Sequence, residues 1–229
     1  MLNITLFIIH LIINVFNDYI SQTINIFPIQ IIFFRFLTAT LILIPLISTK
    51  TIITHNIFIH IQRGVLLLFG LLCWIYGLQT TYLASATAIG FMTPIFIIIL
   101  ESIFITKPKL KHIKNIIIGF FGIILAIYNG NYIISFTLII FILATLLFSI
   151  LDILTKKIAH ENIINSSFLT YITITLLLLP YIIKYNYYNI SLKDILICSL
   201  LGLNSNLIIY CIIYAYRSQN PSYYGTYRY

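Results

Sequence analysis

Asp18, Arg35, Glu101, Asp152 and Arg228 are ionisable residues that fall within or against long apolar runs of this chain. A charge at the centre of such a run costs on the order of 2.5 to 3.5 kcal/mol on membrane-insertion scales, so each one requires a counter-ion, water or a bound solute. Asp152 has Lys156 four residues on, the spacing of a helical ion pair, and reads as a local structural pair. Asp18 has Gln22 at that spacing and no local cation, which makes Asp18 the better binding candidate. Arg35 lies about six residues into the next run, roughly 9 Å along a helix. From there it either pairs with Asp18 or snorkels outward along its alkyl stem. Glu101 comes late in its run, close to Lys107, and is expected at the interface. Trp74 and Tyr76 sit past the middle of a third run, and Tyr210 and Tyr214 occupy a later one. Their aromatic faces can hold a cation, whereas Tyr82 and Tyr216, at run ends, fit an interfacial belt. Carboxylate, guanidinium and aromatic faces together suit the binding of a small charged solute more than bond making. The five histidines, His10, His55, His60, His112 and His160, are scattered without metal-ligand or acid/base spacing, and no phosphate loop or nucleophile elbow is present.

The elements that must hold these residues are membrane helices. With 61% hydrophobic and only 8% charged residues, the chain has too little polar surface to dissolve in water. Runs of about 18 or more apolar residues predict eight complete spans, near 2–20, 29–48, 63–82, 84–106, 113–130, 132–151, 166–184 and 194–216, with a ninth starting at Pro221. The fold class expected is an all-α polytopic bundle. The net charge of +8 does not point to nucleic acid, because the Lys and Arg residues cluster in the short gaps between runs. Lys50, Arg63, Lys107, Lys109, Lys111, Lys114, Lys156, Lys157 and Arg217 mark one side, Lys184 and Lys193 the other, which places the N-terminus in the cytoplasm. Cys73, Cys198 and Cys211 lie inside apolar runs as small core residues. The first run lacks a basic leader and a cleavage site, so it is expected to be retained as a helix. Pro94 is expected to kink the fourth span. Ala84, Ser85, Ala86, Ala88, Gly90, Gly119 and Gly122 are expected to allow close helix contact.

The chain also repeats itself. Thr38 to Pro45 (TATLILIP) answers Thr173 to Pro180 (TITLLLLP) 135 positions later, and Asp18, Tyr76 and Tyr82 answer Asp152, Tyr210 and Tyr216 at 134. Each unit then has five helices. An odd number of crossings makes the second unit enter from the opposite face, giving inverted repeats around a site near mid-bilayer, the plan of a secondary transporter. The units are residues 1–130 and 131–229. The second is expected to be incomplete, with helices six to eight and the start of nine.

Phe33-Phe-Arg-Phe36, His60-Ile-Gln-Arg-Gly64, Trp74-Ile-Tyr-Gly77, Ala84-Ser-Ala-Thr-Ala88, Pro94, Leu151-Asp-Ile-Leu-Thr-Lys-Lys157 and Tyr227-Arg-Tyr229 together resemble the drug/metabolite transporter superfamily. More narrowly the chain is similar to the EamA-type S-adenosylmethionine uptake transporters of obligate intracellular bacteria. The resemblance implies a bacterial inner-membrane carrier that imports S-adenosylmethionine, in one version by exchange for its demethylated product. It implies a substrate site among Asn17, Asp18, Arg35, Trp74, Tyr76, Tyr210 and Arg228. The partners expected are the bilayer and a small-molecule solute, with a homodimer left open, and no redox or metal cofactor is implied. Two other readings stay open: a metabolite exporter of the same superfamily, and a membrane remnant that inserts without transporting.

Overall fold

A computed structural model describes residues 2–47, 56–81, 83–106, 110, 113–114, 116–118, 121, 136–187 and 190–228. Among these the regular elements are α1 (Leu2–Thr23), α2 (Pro28–Leu43, extended by a 3-10 turn at Ile44–Leu46), α3 (Ile57–Thr80), α4 (Leu83–Gly90) and α5 (Thr93–Phe104). They are followed by α6 (Phe136–Lys157), α7 (Ile163–Lys184), α8 (Leu192–Ser218) and α9 (Pro221–Gly225). Among the described residues, seven stretches are long and apolar enough to cross a bilayer, α4 and α5 together forming the fourth. Seven of the eight expected spans have such a helix; the fifth, 113–130, falls largely outside the described residues.

The expected kink at Pro94 is a break. α4 stops at Gly90, and α5 restarts at Thr93 with Pro94 in its first turn, where proline's missing N–H costs nothing. The Thr93 hydroxyl donates to the Gly90 carbonyl (2.6 Å) across the joint.

Between helices in lipid there is little hydrophobic drive, so close backbone approach and interhelical polar bonds must hold the bundle. Two glycines show this. A Cβ at Gly64 would lie 2.8 Å from the Thr170 carbonyl oxygen, and one at Gly202 would lie 2.6 Å from that of Arg35. The first seats α3 on α7, and the second seats α8 on α2. Of the small residues expected to pack, Ala86 is fully buried and Gly90 lies against the Trp74 ring, while Gly119 and Gly122 fall outside the described residues.

α3 also packs along α6, where Gly77 meets Phe141, Gly70 meets Phe148 and Arg63 meets Thr155, so the two run antiparallel. α1 packs along α8, with Asn17 against Asn204 and Phe7 in one cluster with Ile213 and Tyr216, again antiparallel. The main core lies among α2, α3, α7 and α8, where Ile31, Ile32, Phe36, Ile75, Ile174 and Leu201 are buried. The outer faces stay apolar, as lipid requires: Ile12 on α1 is 64% exposed.

Arg63 departs from the sequence reading. α3 begins six residues before it, so it is not a loop charge. Its side chain is fully buried, with Nη1 donating to Ser166 and Thr170 (both 2.9 Å) and Nε to Thr155 (3.2 Å).

Candidate solute-binding site

α1 and α3 bring Asp18 and Trp74 together, since both residues lie toward the C-terminal ends of helices that run side by side. The indole Nε1 donates to Asp18 Oδ1 at 2.9 Å. Among the described residues, no Lys, Arg or His nitrogen lies within 4.0 Å of the Asp18 carboxylate. The Trp74 ring is fixed edge-on by Phe141, with centroids 5.1 Å apart. The neighbouring Asn17 is buried and accepts a hydrogen bond from Asn204 on α8 (2.8 Å).

Arg35 does not take either expected course. It neither snorkels nor pairs with Asp18, but lies buried in α2 with Nε donating to Ser205 Oγ at 2.6 Å. Tyr171 donates to the carbonyl of that same Ser205 (2.8 Å), which fixes the acceptor's helix. Arg35 remains within electrostatic reach of Asp18. A carboxylate and a guanidinium are thus held apart, each by neutral partners. Separated opposite charges of this kind match the two ends of a zwitterion.

Above Asp18, at the end of the bundle where α1 and α3 finish, opens a cavity of about 800 Å³ lined by Gln22, Asn25, Gln30, Gln79, Ser191 and Asp194 among others. Three glutamine side chains tie its walls: Gln22 donates to the Thr81 carbonyl, Gln79 to that of Ile26 and Gln30 to that of Tyr187, at 2.8, 2.9 and 3.0 Å.

Tyr76 and Tyr210 stand elsewhere. Each is 48% exposed, and two residues from Trp74 places Tyr76 on the far side of α3. Tyr76 lines a separate apolar cavity of about 380 Å³ with Phe27, Cys73, Ile140, Tyr181 and Tyr187, and Tyr210 stacks on Tyr214. Arg228 belongs to the opposite end of the bundle. Its Nη2 donates to Asp152 Oδ2 at 2.7 Å, and its guanidinium carbon lies 5.8 Å from the Phe7 ring centre. Asp152 therefore pairs with Arg228 and not with Lys156, whose Nζ donates instead to the carbonyls of Tyr216 and Gln219. Tyr216, expected at the interface, is fully buried. Glu101 is buried too, and accepts from the Ser222 backbone N–H (2.8 Å) and hydroxyl (2.9 Å) at the start of α9, where orphan helix donors need an acceptor.

Sequence reasoning passed over Asn204, Ser205 and Asn206. The signal was present, because three consecutive polar residues interrupt the middle of an otherwise apolar run.

A multi-pass helical bundle with a polar cavity at one end has the build of a membrane transporter. A match to the EamA-like transporter family covers residues 1–128, and the chain belongs to that family. It is a transporter and not an enzyme. Over 230 residues it is 27% identical to the S-adenosylmethionine uptake transporter of Rickettsia bellii, covering 97% of this chain and 79% of the relative. The proteins of that name from Rickettsia conorii and Rickettsia prowazekii are 27% and 26% identical, each with 97% of this chain and 78% of the relative covered. A solved structure, 11% identical, superposes with a TM-score of 0.76 over 99% of this chain and 83% of its own length, a likeness of fold.

Proposed function

We propose that this protein is a bacterial inner-membrane carrier that imports S-adenosylmethionine by alternating access between two inverted repeats, residues 1–130 with five helices and residues 131–229 with helices six to eight and the start of nine, with its N-terminus in the cytoplasm. One observation carries the substrate: Asp18 is a carboxylate inside a membrane-spanning helix with an indole donor and, among the described residues, no cation within pairing distance. Asp152, its counterpart 134 residues on, is neutralised by Arg228. The vacancy in charge at Asp18 is filled by the solute. S-adenosylmethionine offers a sulfonium cation for Asp18 and the Trp74 face. Its aminoacid carboxylate suits Arg35, and its polar edges suit Asn17 and Asn204.

The inverted repeat draws support from the packing. α1 lies on α8 as α6 lies on α3, and α2 lies on α8 as α7 lies on α3, which is the exchange a two-fold axis in the membrane plane would produce. The antiparallel course of α6 beside α3, itself parallel to α1, agrees with it. The loop charges favour a cytoplasmic N-terminus.

The test is uptake of methyl-labelled S-adenosylmethionine by cells expressing this chain, beside efflux of a panel of amino acids from the same cells. Saturable uptake is expected. Amino-acid efflux without uptake would replace this reading with that of an exporter.

A further inference from the structure

α1 carries His10, Asn14, Asn17, Asp18 and Ser21 at helical spacing, a polar stripe along a helix whose other positions from Leu6 to Ile20 are apolar apart from Tyr19. The stripe faces inward. His10, Asn17 and Ser21 are buried at 6%, 2% and 2% exposure, while Val15 and Phe16 on the outer face are 53% and 48% exposed. Most buried polar atoms find partners, because leaving one unpaired costs about 1 to 3 kcal/mol. Two on this stripe do not. Among the described residues, neither Asn17 Nδ2 nor His10 Nδ1 has a hydrogen-bond partner of good geometry.

The stripe joins two charged places. At one end it includes Asp18, bonded to Trp74. At the other, His10 packs on Phe7 (centroids 5.3 Å) and lies within electrostatic reach of Arg228, the partner of Asp152. His10 and Asp18 are eight residues apart, about 12 Å along the helix axis. Among the described residues, Arg228 Nε is likewise buried without a hydrogen-bond partner.

We propose that the His10 to Ser21 stripe of α1 lines a polar path through the bundle between two carboxylate stations, Asp18 with Trp74 and Asp152 with Arg228, and that His10 is a contact for the passing solute at the second. The unmatched atoms of His10, Asn17 and Arg228 supply hydrogen-bonding capacity that a small polar, cation-bearing solute would take up. The nature of that cargo rests on the carrier reading above. The path itself rests on the burial pattern of α1, so the two stand or fall on different measurements.

The test is cysteine accessibility. In a background with Cys73, Cys198 and Cys211 changed to Ala, single changes His10→Cys, Asn14→Cys, Asn17→Cys and Ser21→Cys are compared with Ile12→Cys and Phe16→Cys in the full-length protein. Each is treated in membranes with a charged, membrane-impermeant methanethiosulfonate reagent, which reacts with thiols that water reaches. The stripe positions are expected to react about tenfold faster or more than the two outer positions, since thiolate formation follows solvent access. Stripe positions that react no faster than Ile12→Cys and Phe16→Cys overturn the path. Asn14→Cys and Ser21→Cys are small changes expected to keep the monodisperse elution of the parent, and they decide the matter if the other two variants misfold. Fast stripe labelling in a protein that takes up no S-adenosylmethionine would keep the path and remove its assigned cargo.

Discussion

Asp18 and Asp152 occupy matching places, each five residues from the C-terminal end of its helix, yet they differ in what neutralises them. Breaking a buried ion pair by removing one partner costs about 3 to 5 kcal/mol, because the other charge is left stranded. Asp152→Asn or Arg228→Gln alone is therefore expected to lower thermal stability in detergent markedly. The double variant should recover most of the loss, and strict additivity of the two would show that the pair is not coupled. Asp18→Asn behaves otherwise. It removes a charge that has no cationic partner among the described residues, so the melting temperature should hold while uptake falls by about tenfold or more, the 1.4 kcal/mol or greater expected of a lost charge-assisted contact. Trp74→Phe keeps a ring and loses the indole donor, and intermediate uptake is expected. The lack of a local cation at Asp18 was legible from Gln22. The partner of Asp152 was not, because Arg228 comes 76 residues later while Lys156 stands one turn away and turns to backbone carbonyls instead.

At the scale of elements, the apolar runs located most helix ends to within three residues, the start of α3 and the C-terminal end of α6 each being six residues off, and Pro221 as a helix start was legible as well. The run containing Arg63 was placed too late because a charge counts against membrane burial in a window of composition. In three dimensions the hydroxyls of Thr155, Ser166 and Thr170 supply what that window lacks. Faces were harder to read than lengths. Trp74 and Tyr76 share a run but point to opposite sides of α3, and only packing against α6 and α1 decides which is interior. The helix contacts at Gly64 and Gly202 yield a direct expectation. Gly202→Ala drives a methyl against the Arg35 carbonyl and Gly64→Ala one against Thr170, backbone atoms that cannot step aside, at a cost of about 1 to 3 kcal/mol of overpacking. Gly90→Ala meets only the far edge of the Trp74 ring at 3.1 Å and should cost less. Thermal unfolding of the three variants in one detergent gives the ranking, and Gly90→Ala as the most damaging would contradict the packing described.

For the whole molecule, composition alone required a bilayer, and the internal repeat suggested which helices should mirror one another. What no repeat could convey is how the two ends are closed. Neutral glutamine-to-carbonyl ties join the connections above Asp18, whereas charged groups dominate the other end, including His60 with Glu161 (2.8 Å) and Arg217 with the Ala159 and Glu161 carbonyls. These ties link residues 53 or more positions apart and leave no local pattern. Under the alternating access proposed above, one set would break while the other holds. The measurement closest to the central claim is entry of labelled S-adenosylmethionine into liposomes containing the purified protein, beside liposomes carrying Asp18→Asn. Saturable entry with the parent chain and entry near that of empty liposomes with Asp18→Asn is the expected result; parent and variant both indistinguishable from empty liposomes, or equal to each other, would contradict it.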